Sequence, residues 1–281
     1  MTDSEVAYLA SLDPTATVVS DVPTLTSYPL PPDVIEVLLA VAGEADILIL
    51  GEMHGTKEVP CLVNGLLPAL VPLGYKALAY ELYADEQPIV ANWRRGGNAP
   101  VPEFFAKPSF DGRGNVQVLG LLTDAAQVGW HILCFDRGAG QSEGAEWRDR
   151  DRYMARNLLE QRRRFCADTK VIAVCGNMHS RLVPALPGDW REAFWPSFAG
   201  ALQSENPALI VRSINIVFHS GTFYNCGVRG GGSGNVPSAP YVTPGQNDEH
   251  TLDLHLPRST AASFLQTPAK VPVPEPSHEK E

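Results

Sequence analysis

Residues 45–55 read ADILILGEMHG: an apolar run of strand length that passes, with no linker, into a Glu and a His flanked by glycines. Short apolar runs of this kind mark strands buried on both faces. Gly51 and Gly55 permit a tight turn and close backbone approach at its end. Immediately after it, Val59, Leu62, Val63, Leu66, Leu67, Leu70 and Val71 recur at the three-and-four spacing of one helical face. Thr56 is available as the cap, and Pro68 is expected to kink or shorten the helix. The stretch thus predicts the first strand and helix of an α/β unit.

The same alternation continues outward. KALAYEL (76–82) reads as a second buried strand, VQVLGLLTDAAQVG (116–129) as a helix and HILCFD (131–136) as the strand that it feeds. A charged helix over 147–164 precedes TKVIAVCGNMH (169–179), and ALIVRSINIVFH (208–219) offers a fifth strand. Connections of this length suit right-handed crossovers, so the expected fold class is α/β: a central, mainly parallel sheet with helices on both faces, a Rossmann-like three-layer sandwich. Residues 31–222 form the expected catalytic-type domain, with a Gly/Pro-rich insertion at 92–115. Its Trp93, Phe104, Phe105 and Phe110 suggest an ordered lid or substrate-facing loop. Residues 1–30 are an N-terminal extension, 223–264 a Gly-rich loop and C-terminal edge strand, and 265–281 a disordered tail. Within the third of these, GVRGGGSGN (227–235) reads as a flexible loop and HTLDLHL (250–256) as the edge strand.

Composition narrows the classes of function. With 281 residues, 44% of them hydrophobic, the chain can bury a full core. Its net charge of −10 and the lack of a Lys/Arg block argue against nucleic acid or anionic membrane as partner. The Arg-dense segment 148–164 is interleaved with Asp149, Asp151 and Glu160, as in a salt-bridged helix face. There is no basic start followed by an apolar run and no membrane-length apolar segment, so a cytoplasmic location is expected. Five widely spaced cysteines with no CxxC suit neither a disulfide framework nor a zinc knuckle, and Cys134 and Cys175 read as core residues. Oligomeric state leaves no mark in the sequence.

In an open parallel sheet, ligands sit in the crevice outside the carboxyl ends of the strands. Here the first strand delivers Glu52 and His54, the second Glu81, the third Asp136, the fourth His179 and the fifth His219. Any one of these could be a helix cap or a solvated rim residue. Successive strands ending on Glu, His and Asp predict instead one polar site, with Asn177 and Tyr83 as further pocket residues. Asp151 shares a helical face with Trp147, Met154 and Leu158, so it falls on the stripe expected to pack inward. A buried carboxylate needs a partner, for which Arg148, Arg150 or a histidine is available; the plain alternative is an internal salt bridge.

These residues resemble the superfamily of erythromycin-esterase-like, ChaN-like and Tiki (TraB) proteins. GEMHG (51–55) is similar to the GExHG stretch of the esterases, Glu81 to the Glu that closes their next strand, and Arg150, Asp151, Met154, Ala155 and Asn157 to their RDxxMAxN helix. CGNMH, ending at His179, resembles their closing Gly–His, and Gly51–His54 and Gly176–His179 match the two GxxH motifs of Tiki-type proteins. The resemblance spans roughly residues 45–180 and implies a different chemistry in each branch: hydrolysis by His-activated water, metal-dependent peptide hydrolysis, or haem binding.

The leading expectation is a hydrolase, or an acyl-transfer relative, acting on an ester, lactone or amide bond of a small-molecule or peptide substrate. His54 would take the proton from water with Glu52 or Glu81 orienting it. His179 would protonate the leaving group or stabilise the oxyanion, helped by Arg150 or Arg152. Asp151 completes the catalytic set. One alternative places Zn, Mn or Co on His54, His179, Glu52 and Glu81. The other is a haem-binding protein with an apolar slot at Phe104 and Phe105 and Tyr83 as axial ligand.

Overall fold

The computed structural model of the chain describes residues 24–93, 101–106, 109–138, 147–184, 194–232 and 234–265. Its strands are β1 (Ile47–Glu52), β2 (Tyr75–Tyr83), β3 (His131–Asp136), β4 (Lys170–Gly176), β5 (Val211–Phe218), β6 (Ser220–Tyr224), β7 (Val228–Gly232), β8 (Tyr241–Pro244) and β9 (Leu252–Leu256). Seven of them make one sheet in the order β3-β2-β4-β1-β5-β9-β8, in which only β8 runs antiparallel to its neighbour.

Side chains along β1 alternate between the two cores. Leu48 and Leu50 join Leu78 and Tyr80 against α1 (Pro32–Glu44) and α2 (Glu58–Leu70). Ile47 and Ile49 join Ala77, Ala79, Leu133 and Phe135 on the other face. The helices α3 (Gln87–Trp93), α4 (Glu103–Ala106) and α5 (Val116–Gln127) follow in chain order. Of these α5 packs on the first face through Val118 and Leu122. The second face is covered by α6 (Trp147–Phe165), through Met154 and Leu158, and α7 (Phe198–Glu205), whose Phe198 stacks on Phe135 at 4.8 Å. The result is the expected α/β three-layer sandwich, and the two-faced burial explains why the strands read as continuous apolar runs.

The topology also places the crevice. From β1 the chain crosses by α2 over β4 to reach β2; from β4 it crosses by α7 over β1 to reach β5. The connections leave the β1–β4 pair in opposite directions, and such a switch point opens a gap at the carboxyl ends of those strands.

Several local expectations are corrected. Residues 228–232 are not a loop: β7 pairs antiparallel with β6 as a glycine-rich hairpin. The 252–256 strand is internal, held between β5 and β8, so β8 is the edge. Thr56 does not cap α2, whose N-cap is Lys57; the Thr56 hydroxyl donates to the Met53 carbonyl. Pro68 lies inside α2 without ending it, and a 3-10 turn at Val71–Leu73 follows. In the insertion, Trp93 and Phe105 are buried packing residues. Residues 1–23 and 266–281, hence most of the extension and nearly all of the tail, lie outside the described residues. No described helix is long and apolar enough to cross a membrane.

Candidate active site

β1 delivers Glu52 at its last position, and the Glu52 carbonyl accepts from the Asn177 N–H, tying the end of β1 to the turn after β4. Its Oε1 accepts from the Tyr80 hydroxyl at 2.7 Å and contacts His54 Nδ1 at 2.9 Å. The other ring nitrogen of His54 lies 3.3 Å from Glu81 Oε2. The motif's glycines are required sterically. A Cβ on Gly51 would come within 2.1 Å of Ser180 Oγ, and one on Gly55, whose φ is +73°, within 2.2 Å of the Tyr224 carbonyl on the hairpin.

Glu81, 1% exposed, is the hub. Its Oε1 accepts from Arg113 Nη1 at 2.8 Å and Arg150 Nη2 at 2.6 Å, and its Oε2 from the Gly176 N–H at 2.8 Å. Asp136 lies beneath the same two cations: its Oδ2 accepts from both at 2.9 Å, and its Oδ1 accepts from Arg150 Nε. Arg113 also donates to Asp111 and to the Glu81 carbonyl. Two buried carboxylates and two guanidiniums are therefore mutually compensated, as buried charges must be.

His179 arrives from the turn after β4. Its Nδ1 makes a short hydrogen bond with Asp151, and its Nε2 lies 3.2 Å from Arg150 Nη1 and 3.7 Å from Glu81 Oε1. One helical turn thus supplies both Asp151 and Arg150. Three residues past Met154, Asn157 donates to the Asp136 carbonyl, so every matched residue of the RDxxMAxN stretch has a structural task. The turn itself is braced from behind: Ser180 Oγ donates to the Asn177 carbonyl and lies 2.9 Å from His250 Nε2.

Charge in this cluster follows from these contacts. Burial would push His54 down, but Glu81 and Glu52 outweigh it and push it up to about 10. Burial would raise Glu81, yet Arg113, His54 and, when it is protonated, His179 hold it well below its ordinary value. For Asp151, burial wins and pushes the carboxyl up, against the pull of His179 and Arg150. Tyr80 is pushed far up by burial and by Glu52, so its hydroxyl stays a donor. His250 is pushed down to about 4 by burial, with Asp253 opposing and Arg181 assisting.

Over this floor lies a cavity of about 380 Å³ lined by Glu52, His54, Glu81, Arg150, Asn177 and His179, with Met53, Met178, Phe110 and Phe223 at its walls. The residues expected from the sequence converge, with four exceptions. Asp136 lies below the cavity, under the guanidiniums. Tyr83 does not line it; its ring, 42% exposed, meets Phe104 edge-on at 5.6 Å. His219 pairs with His255 near the open end of the sheet, outside the cavity lining, and Arg152 pairs with Asp149 at the surface. Three participants escaped the sequence reading. Tyr80 is a hydroxyl within a buried strand, and Asp111 and Arg113 are charges in the insertion that look like loop polarity. The expectation that no G-x-S-x-G elbow is present is wrong: residues 140–144 read GQSEG, with that spacing, and lie outside the described residues.

The expected cofactors fit this arrangement poorly. A cation held by His54, His179, Glu52 and Glu81 would sit beside the Arg150 guanidinium, while Glu81 Oε1 is already claimed by two guanidinium N–H groups. No group of three or more His, Cys, Asp or Glu among the described residues is arranged to hold a metal ion. For haem, Phe105 is buried in the core and Phe104 lies between Tyr83 and Phe105, so the slot expected between these aromatics is filled by the protein itself.

No protein-family model matches the chain, and no curated protein matches it. Solved structures do. A succinoglycan biosynthesis protein superposes with a TM-score of 0.63 at 11% identity, over 94% of this chain and 99% of its own. A Bacillus cereus protein does so with a TM-score of 0.62 at 11% identity, over 95% and 100%. The erythromycin esterase EreC, in its open conformation, gives 0.53 at 14% identity, over 85% and 81%. The chain shares the fold of these proteins, the esterase among them, as the sequence motifs led one to expect.

Proposed function

We propose that this protein is a hydrolase, or an acyl-transfer relative, acting on an ester, lactone or amide bond of a small molecule or peptide, with two His–carboxylate pairs as its acid and base. One observation carries the reading: the two imidazoles meet opposite partners. Both nitrogens of His54 face carboxylate oxygens, so both carry protons. His179 faces a carboxylate with Nδ1, while the nearest group to Nε2 is the Arg150 guanidinium at 3.2 Å, with Glu81 Oε1 farther off at 3.7 Å, so Nδ1 carries the proton and Nε2 turns its lone pair to Arg150.

This arrangement supports the reverse of the roles expected from the sequence. Once the developing oxyanion draws Arg150 Nη1 off Nε2, His179, oriented by Asp151, takes the proton from water, the base-orienter logic of a catalytic triad. His54, held cationic by Glu52 and Glu81, gives a proton to the leaving group. Arg150 supplies positive charge where an oxyanion would develop. Five carboxylates, Glu52, Glu81, Asp111, Asp136 and Asp151, outnumber the cations His54, Arg113 and Arg150, which suits an uncharged acyl bond better than a phosphate ester. The fold shared with an erythromycin esterase agrees with this class of reaction and does not select the substrate.

The test is a panel of esters, lactones and peptides assayed with the wild type and three variants. His54→Gln and His179→Gln should each lower kcat by about 10²–10⁴, the usual worth of general acid–base catalysis, while Ser142→Ala keeps it. Turnover that survives His54→Gln, or that depends on Ser142, would refute the proposal.

A further inference from the structure

Away from the cavity, three strands bring two histidines and a tyrosine together at the free edge of the sheet. His219 follows β5, His255 is in β9 directly opposite Tyr241 of β8, and all three rings cluster on one face. His219 Nε2 lies 3.1 Å from His255 Nδ1, and the Tyr241 hydroxyl lies 3.4 Å from the same His219 nitrogen. None of these residues lines the catalytic cavity.

We infer that His219, His255 and Tyr241 form a separate site for a divalent transition metal of the imidazole-preferring kind, Zn(II) or Cu(II). Two ring nitrogens facing each other must share either one proton or one ion. Metal–imidazole bonds of about 2.0–2.1 Å place two ligands of one ion about 2.9 Å apart at a right angle and about 3.4 Å apart at the tetrahedral angle. The observed 3.1 Å falls between the two. The rings are also steered as ligands commonly are. Thr243 Oγ1 lies 3.0 Å from His255 Nε2, where it can accept an N–H in the tautomer whose Nδ1 lone pair is turned towards His219. Tyr241 stacks on His255 at 4.4 Å with planes 7° apart, fixing the ring orientation. The histidines are part-exposed, which gives an ion a route in from solvent. An ion there would join β5, β8 and β9, the strands at the open end of the sheet.

Calorimetric titration of full-length protein with Zn(II), in a non-coordinating buffer, tests this, with Cu(II) followed in parallel by electron paramagnetic resonance. One equivalent should bind to the wild type and equally to a His54→Gln/His179→Gln double variant, which leaves the edge intact. Binding should weaken at least tenfold in His219→Ala or His255→Ala, with loss of nitrogen coupling to Cu(II). Tyr241→Phe, which keeps the stacked ring, provides a milder variant and should weaken binding less. Absence of binding to the wild type, or unchanged affinity in both histidine variants, would overturn the inference.

Discussion

At the scale of single residues, the chemistry depends on which partner each nitrogen faces. The type and order of Glu52, His54, Glu81, Asp151 and His179 were legible, because apolar strands that end on ionisable residues have one sheet edge at which to converge. Their protonation was not legible, since it depends on whether Glu81 or Arg150 stands across from a given nitrogen. Gly176 shows how tightly this is built. A Cβ there would lie 2.9 Å from His54 Nε2 and 3.4 Å from His179 Cδ2, so the glycine leaves the gap in which the imidazoles approach Glu81. Gly176→Ala should therefore depress kcat strongly while costing only about 1–3 kcal/mol of stability, the range for modest overpacking. Near-normal kcat with lost stability would show that Gly176 serves packing alone.

Among the elements, α6 was read correctly as a charged helix with one carboxylate on its inward stripe, and the partner proved to be a histidine rather than a neighbouring arginine. The insertion was less legible. Its aromatics suggested a lid, yet Trp93 and Phe105 fill the core, and the contribution to the site comes from Arg113, anchored by Asp111. Periodicity carries no signal for a loop arginine whose partners lie on two neighbouring strands, each more than twenty residues away in sequence. Because Arg113 compensates both Glu81 and Asp136, Arg113→Met should destabilise the fold by about 3–5 kcal/mol, as loss of one member of a buried ion pair does. A chemical-denaturation midpoint close to that of the wild type would mean that Arg150 compensates both carboxylates unaided. The hairpin β6–β7 was hidden for a related reason: five residues containing three glycines have no side-chain alternation to read.

For the whole molecule, burial of the sheet on both faces made the fold visible in sequence, whereas strand order is set by crossovers that leave no local trace. The same burial couples stability to pH. His54 is raised from its ordinary 6.5 to about 10, so its contribution is complete below about 6.5 and is lost as pH rises through about 10. Glu81 is held well below its ordinary 4.5, so its contribution is present above that value and is lost as pH falls through its lowered one. Tm should thus be highest between these limits and decline towards pH 10, and His54→Gln should flatten the alkaline decline. An unchanged slope would assign that decline to other groups. The central claim, opposite proton states of the two imidazoles, can be read without knowing the substrate. In a nitrogen-15 NMR titration of the histidine side chains, His54 should be protonated on both nitrogens at neutral pH and lose a proton only near pH 10, while His179 should carry its proton on Nδ1, the nitrogen that faces Asp151. A neutral His54 at pH 7, or a neutral His179 with its proton on Nε2 in place of Nδ1, would contradict it.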